Sequence, residues 1–237
     1  MNLIQYNDFK ALFRGASLDV NPEQYQKFSR YADMLVEWNE KINLTAITDP
    51  EGIAVKHFLD SVLPFSMFDI PDGASVIDVG TGAGFPGIPM KIMRDDIKLT
   101  LMDSLQKRVN FLGEVCLGIG TDALCTHERA EESGAGDKRE KYDIATARAV
   151  ARLGVLCEYC LPFVKVGGAF VALKGADCGE EIKSAYTAIK TLGGKTEKVI
   201  EYTLPTGDKR TLVIIRKIAP TPKAYPRPKG KMNKKPL

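Results

Sequence analysis

Asp78-Val79-Gly80-Thr81-Gly82-Ala83-Gly84-Phe85-Pro86-Gly87 sets a run of glycines directly behind a short β-branched stretch, Ser75–Val79. Glycines there let the chain turn tightly and let a ligand approach the backbone at the open end of a parallel sheet. Asp103 closes the next strand-like run, residues 98–102, where a carboxylate can accept hydrogen bonds from both ribose hydroxyls of an adenosine ligand. Loop and acid together imply an adenosine cofactor. Gly82, Gly84 and Gly87 also fit the dinucleotide spacing G-x-G-x-x-G, so NAD(P) competes with S-adenosylmethionine (SAM). Three features favour SAM. Asp78 precedes Gly80 by two residues, the loop lies behind a helical N-terminal segment, and a terminal hairpin matches the antiparallel seventh strand of a methyltransferase sheet.

The elements that must position these groups follow from periodicity. Asn21-Pro22-Glu23-Gln24 is a helix start, with an N-cap residue, proline in the first turn and an amide at the capping-box position. Tyr25, Phe28, Ala32, Leu35 and Val36 then recur at helical spacing as a core stripe. WNEKINLTAIT is too polar and Asn-rich to prolong that helix, and Asp49-Pro50-Glu51 opens another toward Phe58, Leu59, Val62 and Leu63. From Ala74 strands alternate with helices, which implies a parallel sheet covered on both faces. Residues 198–204 and 211–217 flank the turn PTGDKR with no helix between them, so the last strand runs antiparallel. The expected fold is α/β: residues 1–73 a helical extension, 74–217 the SAM-binding core, 218–237 a flexible basic tail rich in Pro and Lys.

Composition bounds the alternatives. A hydrophobic fraction of 44% and a charged fraction of 27% suit a folded globular chain of 237 residues. No run approaches the ~18 apolar residues of a membrane span, and the acid- and amide-bearing N-terminus does not read as a secretory signal. Five cysteines without framework spacing suit a reducing, cytoplasmic compartment. Cys157-Glu-Tyr-Cys160 lacks the two further ligands a zinc site needs, so no metal is expected. The net charge of +3 is uneven: eight of the 33 basic residues and none of the 30 acidic ones fall within 216–237, leaving the rest of the chain at −5. A basic segment on a mildly acidic body suits a polyanion, nucleic acid first. Lys107, Arg108, Arg152, Lys174, Lys209 and Arg210 are further candidates for phosphate contact.

WNEKINLTAI (38–47), HFLDS (57–61), DVGTGAGFPGIP (78–89), DSLQKRVNFL (103–112), RAEE (129–132) and ARAVA (147–151) occur together and in order. In these the chain resembles the RsmG family, also called glucose-inhibited division protein B. The resemblance implies a class I, Rossmann-like SAM-dependent methyltransferase that methylates N7 of a single guanine, guanine 527 in RNA numbering, of 16S small-subunit rRNA. It implies cofactor contacts from Gly80, Gly82, Gly84 and Phe85, ribose binding by Asp103, adenine flanked by Ala130 and Glu131, and Arg148 facing cofactor and target base. The implied partner is 16S rRNA or the small ribosomal subunit, and nothing demands more than a monomer. His57 lies in a motif without an evident role. The alternatives are a methyltransferase for another RNA or a small molecule, and an NAD(P)-dependent oxidoreductase.

What is missing from the sequence agrees with N7 chemistry. Exocyclic amines call for an Asn/Asp-Pro-Pro-aromatic motif, which does not occur. Pyrimidine C5 calls for a cysteine nucleophile, and Cys160-Leu161-Pro162 is not the Pro-Cys arrangement of those enzymes. Guanine N7 offers a lone pair and no proton, so transfer needs positioning and electrostatics instead of a general base. No catalytic acid, base or nucleophile is therefore assigned.

Overall fold

Asn21 starts the long N-terminal helix as its neighbours predict. Its side-chain oxygen accepts from the Gln24 N–H at 2.8 Å, and the Gln24 side chain accepts from the Asn21 N–H at 3.0 Å. In the computed structural model, which describes residues 2–148 and 150–237 (the side chains of Lys229 and Asn233 excepted), this helix is α2, Pro22–Ile42, preceded by α1, Tyr6–Arg14. It runs on through residues 38–42, where the polar sequence argued for an end. Trp38 packs on the core with its ring 5.6 Å from that of Phe111, and tertiary burial overrides weak local propensity. The helix stops at Asn43, whose φ is +50°, and Asn39 Oδ1 accepts the N–H groups of Leu44 and Thr45.

Asp49 caps the next turn from the Gly52 N–H at 2.7 Å. Pro50–Gly52 then passes into a π-helical stretch, Ile53–Leu59, and on to Asp60–Val62. Wide turns of this kind often mark functional positions, and this one carries His57.

The sheet has seven strands: β1 Ser75–Val79, β2 Lys98–Asp103, β3 Leu124–His127, β4 Tyr142–Arg148, β5 Val164–Lys174, β6 Gly194–Thr203 and β7 Lys209–Lys217. Their order is β3-β2-β1-β4-β5-β7-β6. Neighbours among β1 to β5 are parallel, and β7 is antiparallel to both β5 and β6, as the hairpin pattern predicts. The principal crossover helices are α3 Gly87–Met93, α4 Gln106–Gly118 and α5 Leu153–Cys160.

Period-2 alternation assigns the faces. Val76, Leu101, Ile144 and Val171 join the core formed with the N-terminal helices, where Phe9, Phe13, Phe28, Tyr31 and Phe58 are fully buried. Ile77, Ala145, Ala147 and Phe170 face the other way, onto α5. Arg148 shares the parity of Ile144 and so emerges on the side of the N-terminal helices.

Five prolines argue against regular structure in the tail, yet a short helix forms at Lys229–Lys234. Pro228 stands just before it, where its missing N–H costs nothing. Met232 of that turn is fully buried in the core around α5, so this part of the tail is packed. Among the described residues no helix is long and apolar enough to cross a membrane.

Candidate active site

The strand order reverses between β1 and β4, and a crevice opens there beyond the carboxyl ends of the strands. A cleft of about 240 Å³ occupies it. Gly80 follows β1 into the cleft, Asp103 ends β2 there, residues 128–131 follow β3, and Val150 and Ala151 follow β4. Val155 and Tyr159, one helical turn apart on α5, close the far side.

The glycine loop is tied to β2: the N–H groups of Gly80 and Thr81 both donate to the Met102 carbonyl, at 2.9 and 3.0 Å. Gly84 has the clearest need to be glycine. Its φ is +97°, and a Cβ there would lie 2.5 Å from Ile88 Cδ1 and 2.6 Å from the Tyr31 hydroxyl. Asp103 is 3% exposed. Its Oδ2 accepts from the Gly82 N–H at 3.0 Å and its Oδ1 from the Leu105 N–H at 2.9 Å. Arg108 stands 3.5 Å from Oδ2. Oδ2 accepts from both Gly82 and Arg108, while Oδ1 keeps a further lone pair, an acceptor of the kind an adenosine diol requires.

Asp78 does not line this cleft. It is fully buried beneath the loop, where its Oδ2 accepts from the Thr81 hydroxyl at 2.6 Å and the Gly87 N–H at 2.9 Å. Among the described residues its Oδ1 has no hydrogen-bond partner. Burial raises this carboxyl to about 6, against the opposing pull of the Thr81 and Gly87 bonds. The acid of the glycine motif braces the turn from below.

A second cleft, about 270 Å³, lies beside the first and is lined by Lys56, His57, Asp60, Arg148, Lys174 and Arg210, among others. The segment after β4 divides the two: Arg148 faces the second, Val150 and Ala151 face the first, and Ala149 lies outside the described residues. Arg148 Nη1 donates to the carbonyls of Lys56 and His57, to Ser61 Oγ and to Asp60 Oδ2, at 3.2 to 3.4 Å. Its guanidinium also lies 4.8 Å from the centroid of Phe85. Phe85 stacks on both His57, at 4.5 Å and 16°, and Tyr31, at 5.5 Å and 29°.

Of the eight residues singled out in the sequence, Gly80, Asp103, Ala130 and Glu131 therefore line the first cleft. Arg148 lines the second. Gly82 and Gly84 shape the loop without forming a wall, and Phe85 lies beneath, holding His57 and Arg148. Among the phosphate candidates Lys107, Arg152 and Lys209 are exposed. Lys174 is paired with Glu181 at 2.7 Å, and Arg210 stands 3.6 Å from Asp60.

Sequence reasoning missed the group around Asp60, a carboxylate 2% exposed that accepts from Arg148 and, at 2.9 Å, from the Tyr202 hydroxyl. The available signal was an acid interrupting the apolar stripe of Phe58, Leu59, Val62 and Leu63. Nothing local could have brought in Tyr202 and Arg210, which arrive from the terminal hairpin. Tyr31, whose hydroxyl donates to the Ala83 carbonyl, was equally hidden among core aromatics.

Residues 24–213 match the rRNA small subunit methyltransferase G (GidB) family. The chain belongs to the RsmG family. It is 50% identical over 239 residues to the ribosomal RNA small subunit methyltransferase G of Clostridium perfringens, covering 99% of this chain and all of the relative. It is 51% identical over 223 residues to the one of Clostridium beijerinckii, covering 93% of each. Membership of this family sets aside the oxidoreductase alternative. Among solved structures, a SAM-dependent methyltransferase from Aquifex aeolicus aligns with a TM-score of 0.53 at 18% identity, over 70% of this chain and 93% of that one. At such identity the likeness concerns the fold alone, which is the class I, Rossmann-like methyltransferase architecture with its last strand antiparallel.

Proposed function

We propose that this chain transfers the methyl group of SAM to N7 of a single guanine, guanine 527 in RNA numbering, of 16S rRNA. It would act in the cytoplasm as a monomer, on free rRNA or within the small subunit. The observation that carries this reading is the pair of adjoining clefts, one behind the glycine loop and Asp103, the other around Arg148, in a member of an rRNA methyltransferase family.

SAM fits the first cleft by the chemistry of its lining. Asp103 would hold the ribose hydroxyls and Gly80 would allow close approach of the methionine portion. Ala130 and Glu131 would flank the adenine. Bound there, SAM supplies an electrophilic methyl on a sulfonium. The residues of the chain then have three tasks. Val155 and Tyr159 keep water from one side of the cleft. Arg148, fixed by four oxygen acceptors, presents a cation whose position does not relax, suited to the carbonyl edge of guanine. Phe85 and His57 hold that guanidinium in place. N7 carries no proton, so no side chain has to accept one, in keeping with the absence of an assigned general base.

N7 methylation makes guanine cationic and labile to reduction and strand scission. Wild-type rRNA should cleave at one guanine after borohydride and aniline treatment, and rRNA from a deletion strain should resist there. Purified enzyme with SAM should restore the cleavage. Methyl transfer that yields no cleavable guanine would overturn the N7 assignment.

A further inference from the structure

The tail and the first cleft meet on one helix. Val155 and Tyr159 of α5 face the cleft. Gly154 and Glu158, each one residue earlier and again one turn apart, face the tail. A Cβ on Gly154 would lie 3.8 Å from the carbonyl oxygen of Leu237. Glu158 is 1% exposed and holds Arg227 by three bonds: Oε1 accepts from the Arg227 backbone N–H and Nε, both at 2.8 Å, and Oε2 from Nη2 at 2.7 Å. Arg227 in turn donates to the Lys235 carbonyl at 3.0 Å. Nearer the sheet, Arg139 donates to the carbonyls of Thr221, Pro222 and Tyr225, and the Thr221 N–H donates to Glu140 at 2.8 Å. The tail is thus anchored at several points along a chain of 20 residues.

The anchors use Arg227 and leave lysines outward. Lys223, Lys231, Lys234 and Lys235 are exposed, and none of them is in an ion pair among the described residues. The segment has no acid of its own, while the chain outside 216–237 carries −5. A polyanion is therefore drawn to this surface in preference to the rest. Tyr225, Met232 and Leu237 pack inward, so the segment offers phosphate contacts and little apolar face for a lipid surface.

We propose that residues 218–237 form a fixed RNA-docking strap, clamped to α5 by Glu158 and Arg227, whose lysines contact phosphates of the RNA that delivers its base to the adjoining site. The inference rests on RNA being the substrate. Because the strap is ordered before RNA arrives, its phosphate contacts come without the ordering cost a loose tail would carry.

The test compares the full-length wild type with three full-length variants binding in vitro transcribed 16S rRNA across a salt series, with methyl transfer measured in parallel. Replacing Lys223, Lys231, Lys234 and Lys235 by glutamine should lower the slope of log affinity against log salt by about 3, at ~0.7–0.9 per phosphate contact. It should raise KM for RNA at least tenfold with kcat unchanged. Glu158→Gln keeps every lysine and should still weaken RNA binding severalfold, because the strap is released. The double variant Glu158→Met/Arg227→Met, which leaves no buried charge unpaired, should do the same if Glu158→Gln misfolds. Titration with SAM should give wild-type affinity for each variant that is folded. An unchanged slope in the lysine variant overturns the strap while methyl transfer by the wild type leaves the substrate reading standing. Full RNA affinity in both anchor variants overturns the fixed geometry, and binding to anionic phospholipid vesicles but not to rRNA overturns the choice of partner. A wild type that neither binds nor methylates rRNA overturns both readings.

Discussion

Arg148 Nη2 lies 3.4 Å from Nδ1 of His57, so a guanidinium faces a lone pair on the imidazole. A cation this close, together with burial as the larger cause, lowers His57 to about 3. The ring is neutral, Nδ1 accepts, and the proton resides on Nε2, which lies 2.8 Å from Thr45 Oγ1 and donates to it. The role of His57 follows from this geometry. It lies flat on Phe85 and holds Arg148 through Nδ1.

The pH dependence of stability should report that role. With an ordinary value of 6.5 in the unfolded chain and about 3 in the folded one, the unfolded state binds the proton first as pH falls. Stability conferred by the neutral ring is complete above pH 6.5 and declines below it, by about 2 kcal/mol at pH 5. His57→Gln, which offers an acceptor and a donor without titrating, should flatten that part of the acid limb in urea denaturation. A limb of unchanged steepness would show that His57 does not titrate as described.

Asp78 should act in the opposite sense. Its folded value of about 6 exceeds the ordinary 3.8, so the native state keeps the proton longer and stability falls as pH rises from about 4 to about 6. Above that range the buried anion costs about 3 kcal/mol. Asp78→Asn leaves an oxygen for Thr81 and Gly87 and sets a neutral amide toward the unpartnered side. The variant should gain stability over wild type at pH 7 to 8 by ~2 kcal/mol and lose that advantage near pH 4. Equal stability at both pH values would count against a strained carboxylate.

At Asp103 the expected effect is on the cofactor. Charged hydrogen bonds contribute ~1.5–3 kcal/mol each, so Asp103→Ala should weaken SAM binding at least tenfold in calorimetric titration. The same carboxylate also accepts from Gly82 and Leu105. Asp103→Asn, which retains one acceptor for the loop, should therefore lose less than the alanine variant. Wild-type affinity in Asp103→Ala would remove the ribose assignment.

Gly84→Ala tests the loop as a physical object. A methyl group at φ +97°, within 2.6 Å of both Ile88 and the Tyr31 hydroxyl, requires the backbone or both neighbours to move. Left-handed strain of this kind costs ~1–3 kcal/mol before any overpacking is added. Thermal unfolding should fall by several degrees, whereas Gly73→Ala, also at positive φ but with open space around it, should cost less. A fall no greater in Gly84→Ala than in Gly73→Ala would mean that the loop tolerates the methyl.

Much of this protein was set by local sequence. The capping box at Asn21, the alternation of strands and helices from Ala74, the glycine turn behind β1, the acid closing β2 and the terminal hairpin all depend on neighbours a few residues apart. That is why periodicity and turn chemistry were sufficient to read them. What the tertiary structure alone decided lies where distant segments converge. Phe85 belongs to the glycine motif, yet packing against Tyr31 and His57 takes it out of the lining of the first cleft and makes it the floor under Arg148. Asp60 meets Tyr202 across 142 residues, and Arg210 from farther still, because β7 and β6 form the far edge of the sheet, a pairing that no sequence period encodes. The tail read as loose because its charges and prolines disfavour a core. Its anchors, Glu158, Arg139 and the pocket for Met232, are supplied by the rest of the fold.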